Sequence, residues 1–181
     1  MAVCYSHPTP FGIHTMRAYV FCLAALLCLT QPVGVLASDN EMVAPVFTLP
    51  AIANTEDAIS LDSLLGNVTY LDFWASWCGP CRLSLPALDE LYKELRSEGL
   101  QVVAISVDVV EEDSLDFLQR YSVSYPVAID TTGDIARSYA VSGMPSGYLI
   151  DRTGVIRAVH VGFKRGNEEK LRQEIMELLE E

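Results

Sequence analysis

The chain has 181 residues, half of them hydrophobic, with 24 acidic against 12 basic side chains and a formal net charge of −12. That length and apolar content suit one domain with a sizeable core, and exclude a disordered, self-solvating chain. The acidic balance opposes sequence-independent nucleic-acid binding, which needs a basic surface, and equally opposes attraction to an anionic membrane face.

The first 37 residues contain no Asp or Glu, and Arg17, next to Met16, precedes an uncharged run from Ala18 to Leu29. With the small-residue exit Val35-Leu36-Ala37, this reads as a secretory signal peptide over 1–37, for which Met16 is the better-placed start. The alternative is an anchor in the inner membrane, but the apolar run falls short of the ~20 residues a span needs. Residues 38–43 read as a linker and 44–181 as the folded domain. Cys4, Cys22 and Cys28 lie in the signal segment, so the domain keeps only Cys78 and Cys81. Two cysteines with His160 fall short of a four-ligand zinc site, and no disulfide framework can be built from one pair.

Ala44–Leu49 reads as an edge strand bounded by Pro45 and Pro50, followed by a turn at Asn54–Asp57 and a short Ile59–Leu61 segment. Val68–Trp74 is apolar and β-branched with a single Asp, the pattern of a central strand covered on both faces. Pro80–Ser97 carries a leucine stripe at helical spacing, ended by Gly99. There follow a strand over Gln101–Val107, a helix over Ser114–Tyr121, a strand over Pro126–Ile129 and a helix over Gly133–Ala140. Ser146–Ile150 and Val155–Val161 flank a Thr153-Gly154 turn and predict a hairpin; Asn167 is the expected cap of the last helix. The class expected is α/β, with a mixed sheet between helices.

The chemistry concentrates in Trp77-Cys78-Gly79-Pro80-Cys81-Arg82, between a predicted strand and a predicted helix. A thiol at a helix N-terminus faces free backbone N–H groups and the positive end of the dipole, which lower its pKa from ~8.5 toward ~7. Cys81 lies one turn on and can close a ring with Cys78, which suits resolving a mixed disulfide. Two other readings stand beside this one. A structural disulfide across two residues would constrain the unfolded chain little. A thiolate pair could carry Cu(I), although no additional Met or His ligands lie near it. A peroxidase would need Pro-x-x-x-Thr/Ser-x-x-Cys, and no such proline precedes Cys78.

The segment Asp72-Phe73-Trp74-Ala75-Ser76-Trp77-Cys78-Gly79-Pro80-Cys81-Arg82 resembles the active-site segment of thioredoxins. The signal-like start, Ala44-Pro45-Val46-Phe47-Thr48-Leu49 and Val141-Ser142-Gly143-Met144-Pro145-Ser146 resemble the exported TlpA/ResA branch. The likeness spans about residues 44–180. It implies a thioredoxin-like fold with an N-terminal extension and an inserted helix-strand. It makes Cys78 the exposed nucleophile, Cys81 the buried resolving thiol, Pro145 a cis-proline and Pro86 a helix-kinking proline. Trp77, Gly79, Pro80, Met144 and Pro145 would meet the substrate, with the Met144 backbone open to an extended segment. Asp72 stands where thioredoxins keep a buried acid that exchanges a proton with the second cysteine. Relatives of the branch commonly have Asn there and a Glu where this chain has Ser84; thioredoxin's Lys partner of the acid aligns with Ala104. Gly147 is expected to leave an uncovered spot beside the site. Trp74 is expected in the core and His160 in a structural role.

The implied activity is thiol–disulfide exchange in the periplasm, as a reductant of protein disulfides in cytochrome c or copper-site assembly. Electrons would come from a membrane carrier of the DsbD/CcdA type. No organic cofactor and no metal are required, and nothing demands more than a monomer. The rival from another class is a copper chaperone using the same cysteines.

Overall fold

A computed structural model describes residues 41–181 of the protein; the expected signal segment and the start of the linker lie outside the described residues. No described helix is long and apolar enough to cross a membrane. The end of the expected linker is already tied to the domain. Ile156 donates its N–H to the Met42 carbonyl at 2.8 Å, and Val43 bridges Val155.

Strand β4 (Val68–Trp74) is buried at all seven positions, as its composition predicts. It pairs in parallel with β5 (Leu100–Ser106) and antiparallel with β7 (Ser146–Ile150). The sheet extends to β6 (Val127–Ile129) and then β2 (Ala51–Ala53) on one side and to β8 (Ile156–Val161) on the other, giving the order β2-β6-β5-β4-β7-β8. Its edge strand β2 (Ala51–Ala53) was not expected from the sequence; it pairs antiparallel with β6. Asn54 ends it in the left-handed region, φ 64°, and donates from Nδ2 to the carbonyls of Val123 and Tyr125. Of the expected 44–49 strand only β1 (Thr48–Leu49) forms. It pairs with β3 (Ile59–Ser60) in a separate two-stranded sheet, so it is not an edge of the main one.

Alternation along the strands builds two cores. One face carries Val68, Tyr70, Trp74, Val102 and Ala104 and packs on three helices. These are α1 (Cys81–Leu95), α2 (Glu111–Arg120) and α4 (Asn167–Glu180), which contribute Leu85, Leu88 and Leu91, Phe117, and Leu171 and Ile175. The other face, with Leu71, Phe73, Val103 and Ile105, is covered by Phe47, Leu49, Leu61 and Leu64 of the extension and by Ala136 and Tyr139 at α3 (Asp134–Ser138). The extension therefore supplies six of the fifteen buried residues of the second core. The inserted α2–β6 unit lies between β5 and α3, as the resemblance implies.

Two helix ends differ from expectation. Helix α2 begins at Glu111, three residues before the predicted Ser114, because Glu111, Glu112 and Asp113 suit the positive end of the dipole. Asn167 does not cap α4. Gly166, at φ 92°, turns the chain instead, and Asn167 Oδ1 accepts from the Lys164 N–H at 2.8 Å. Pro86 lies inside α1, and Gly99 follows the 3-10 turn 96–98 at φ 106°, ending the helical segment as predicted.

Candidate active site

Cys78 and Cys81 form a disulfide where β4 gives way to α1. Pro80 has helical angles, φ −63° and ψ −23°, so the chain is already coiled when it reaches Cys81, and its missing N–H costs no intrahelical bond. The Cys81 N–H donates to Cys78 Sγ at 3.2 Å. A donor held on that sulfur favours its thiolate once the disulfide opens. The resemblance makes Cys78 an exposed nucleophile. In this disulfide form the residue is only 3% exposed, since its sulfur is turned onto Cys81 and its neighbours Ala75 and Cys81 are themselves buried. Gly79 and Pro80 are exposed, and Trp77 is 70% exposed, so the accessible surface at the pair belongs to these three. Trp74 is fully buried against Phe117, in the expected core role.

Met144-Pro145 is a cis peptide bond; Pro145 is buried and Met144 half-buried against the core cluster that holds both cysteines. The Pro145 carbonyl accepts from the Gly162 N–H at 2.7 Å and the Gly143 carbonyl from Ser146 Oγ at 2.7 Å, which fixes the turn into β7.

Asp72 is 1% exposed, on the β4 face that carries Tyr70 and Trp74. Its neighbours across the ladder are Ala104 in β5 and Gly147 in β7, so neither brings a charge or a donor. Among the described residues its Oδ2 has no hydrogen-bond partner, and burial raises its pKa well above the usual carboxylate range. Ser84, in the first turn of α1, is likewise buried with an unpartnered hydroxyl. The spot beside Gly147 is not uncovered: a Cβ there would run into the hydroxyl and ring of Tyr70, which occupies the space.

Sequence reasoning missed Asp108. It is 3% exposed and accepts from the Ser76 N–H at 2.9 Å, from Ser76 Oγ at 3.0 Å, from Ser106 Oγ at 3.1 Å and from Ser114 Oγ at 2.8 Å. This carboxylate ties the segment just before Trp77 and Cys78 to the end of β5 and to α2. The available signal was an acid two residues past a buried serine at a strand end, next to the topological turn that carries the cysteines. Asp108→Ala should cost about 2–4 kcal/mol of stability, because several donors lose a charged acceptor at once. Denaturant unfolding of the oxidised protein measures this; a change below about 1 kcal/mol would contradict the role.

The mixed sheet, the strand–turn–helix placement of the dithiol and the cis-proline beside it define a thioredoxin-like protein. Comparison with known proteins is in accord: residues 41–159 match the AhpC/TSA family, and the chain belongs to that family. It is 34% identical over 131 residues to the thiol-disulfide oxidoreductase ResA of Oceanobacillus iheyensis, covering 68% of each chain. Similarity to ResA of Bacillus thuringiensis subsp. konkukian, 34% over 98 residues, covers 54% of this chain and 57% of that relative, little more than half its length. Among solved structures, a protein from Chlorobium tepidum assigned as the thiol:disulfide interchange protein DsbE superposes with a TM-score of 0.73 at 40% identity, over 77% of this chain and 96% of that one.

Proposed function

We propose that the protein is an exported thiol–disulfide oxidoreductase that reduces disulfides of envelope proteins through Cys78 and Cys81. The observation that carries this reading is the Cys81 N–H held on Cys78 Sγ at the start of α1, beside an exposed tryptophan. In the reduced protein the Cys78 thiolate attacks one sulfur of a substrate disulfide. That S–S bond breaks, a mixed disulfide forms on Cys78, and the first substrate thiolate leaves. Cys81 then gives its proton to Asp72 and attacks Cys78 Sγ. The second substrate thiolate leaves, and Cys78–Cys81 is left oxidised, two electrons having passed to the substrate.

The Gly-Pro pair between the cysteines and the resemblance of the active-site segment to thioredoxins support the reducing direction. A reductant in an oxidising compartment needs resupply, for which a membrane thiol carrier of the DsbD/CcdA type is the donor the resemblance implies. Cytochrome c haem-site cysteines and copper-site assembly proteins are the substrates of the same reading.

Trp77 offers the substrate a large rigid surface next to the sulfur. Trp77→Ala is expected to raise KM for a disulfide-containing protein about 10-fold, as loss of an exposed aromatic anchor does, with little effect on reduction of oxidised glutathione. Equal losses on both substrates would place Trp77 in the chemistry instead of in docking. The function itself is tested by steady-state reduction of a protein disulfide by the pre-reduced protein; stoichiometric Cu(I) capture without disulfide turnover would support the copper chaperone instead.

A further inference from the structure

Asp72, Gly147 and His160 stand in one row across β4, β7 and β8, since Asp72 pairs with Gly147 and Gly147 with His160. Tyr70, two residues before Asp72 on the same face of β4, lies across this row. Its ring takes the place a Cβ of residue 147 would need, and it stacks on His160 with ring centres 6.0 Å apart and planes at 28°. His160 Nε2 is 2.8 Å from Glu174 Oε2 on α4. Beyond the ring opens a cleft of about 400 Å³ lined by Tyr70, His160, Lys164, Asn167, Lys170 and Leu171. Tyr70 is 3% exposed; its hydroxyl makes no hydrogen bond within the described residues and is not enclosed but reaches the cleft, so it does not anchor the fold. What the ring does is stand between a solvent-filled cleft and the residue beside Asp72.

We propose that Tyr70 is a positioning residue for the dithiol: its ring is the partition that keeps the water of this cleft away from Asp72, and His160 braces it. The proposal rests on the reading of Asp72 as the proton acceptor of Cys81. The titratable groups that face the Asp72 carboxyl are Tyr70 on its own strand and Tyr125 ahead of β6; Ala104 and Gly147 bring none. On the cleft side of the ring are His160, Lys164, Lys170 and Glu174. Water admitted past Tyr70 would solvate the carboxylate, weaken its hold on a proton and make it a poorer base for Cys81.

The test reads Asp72 directly, by carbon-13 NMR titration of its carboxyl in the oxidised full chain, where neither cysteine titrates. Tyr70→Phe keeps the ring and is expected to leave the Asp72 midpoint where it is in the unmodified protein. Tyr70→Leu removes the partition and is expected to lower the midpoint by about one pH unit or more, a tenfold loss of proton affinity. If Tyr70→Leu loses near-UV circular dichroism, His160→Ala is read in its place, with a shift in the same direction expected. An unmoved midpoint in the folded ring-removing or brace-removing variant overturns the proposal. So does a fall in Tyr70→Phe as large as in Tyr70→Leu, which would assign the effect to the hydroxyl. Failure of the underlying reading looks different: Asp72→Asn would leave Cys81 reactivity unchanged while the Asp72 midpoint still answered to Tyr70.

Discussion

Cys78→Ser is expected to abolish protein-disulfide reduction, whereas Cys81→Ser is expected to stop after one half-reaction with substrate covalently attached to Cys78. The asymmetry follows from the site. Cys78 receives the Cys81 N–H on its sulfur and adjoins the exposed Trp77, Gly79 and Pro80, while Cys81 is fully buried behind it. Only the thiolate attacks, so the sulfur with a backbone donor and the helix terminus to stabilise its charge is the one that begins the reaction. Non-reducing electrophoresis after mixing with a disulfide-containing protein reads the result as a shifted band that dithiothreitol removes. A trapped adduct in Cys78→Ser and none in Cys81→Ser would reverse the assignment of the two sulfurs.

Asp72→Asn should slow the resolving step by about 10²-fold near neutral pH, the usual worth of a positioned general base. It should also stabilise the oxidised protein, and the sign can be worked out. Burial raises the carboxyl's pKa well above its ordinary value, so between about pH 4 and the native pKa the folded protein binds a proton that the unfolded chain has released. Stability from this group is therefore full below about pH 4 and is lost as pH rises through the native pKa. The asparagine variant escapes that loss. Its advantage in urea should be near zero at about pH 4 and grow as pH rises to the native pKa, by ~1.4 kcal/mol for each unit by which that pKa is raised. Equal stability of the two proteins across that range would mean that Asp72 is not desolvated in solution. Faster resolution in Asp72→Asn would remove it from the proton path.

Much of this site is legible in the amino-acid sequence alone. The run Val68–Trp74 announces a strand buried on both faces, the leucines of α1 announce the helix behind it, and the cysteine pair sits at their junction. The missing counter-charge of Asp72 comes from the resemblance, in which thioredoxin's Lys partner of the acid aligns with Ala104, and the β4–β5 register sets Ala104 opposite it. What escapes depends on registers and on side chains that meet from distant segments. Strand β2 has three half-buried residues next to Pro50, too short for a period to show. Tyr70, Gly147 and His160 come together only through two ladders whose members are 77 and 13 positions apart, and no local pattern records that juxtaposition. The empty space expected beside Gly147 was wrong for that reason: a glycine marks a close approach, but not what approaches. Asp108 was missed because its partners, Ser76, Ser106 and Ser114, are ordinary polar residues in sequence and become a binding set only when a loop, a strand end and a helix converge.

The direction of electron flow through Cys78 and Cys81 is read from the reduction potential of that pair. Both tryptophans flank the dithiol, so fluorescence in glutathione or dithiothreitol redox buffers follows its oxidation state. A potential near ~−270 mV, where a thioredoxin-type reductant lies, is the predicted result and obliges an upstream electron donor. A potential near ~−120 mV would make the protein an oxidant that introduces disulfides, and would contradict the account.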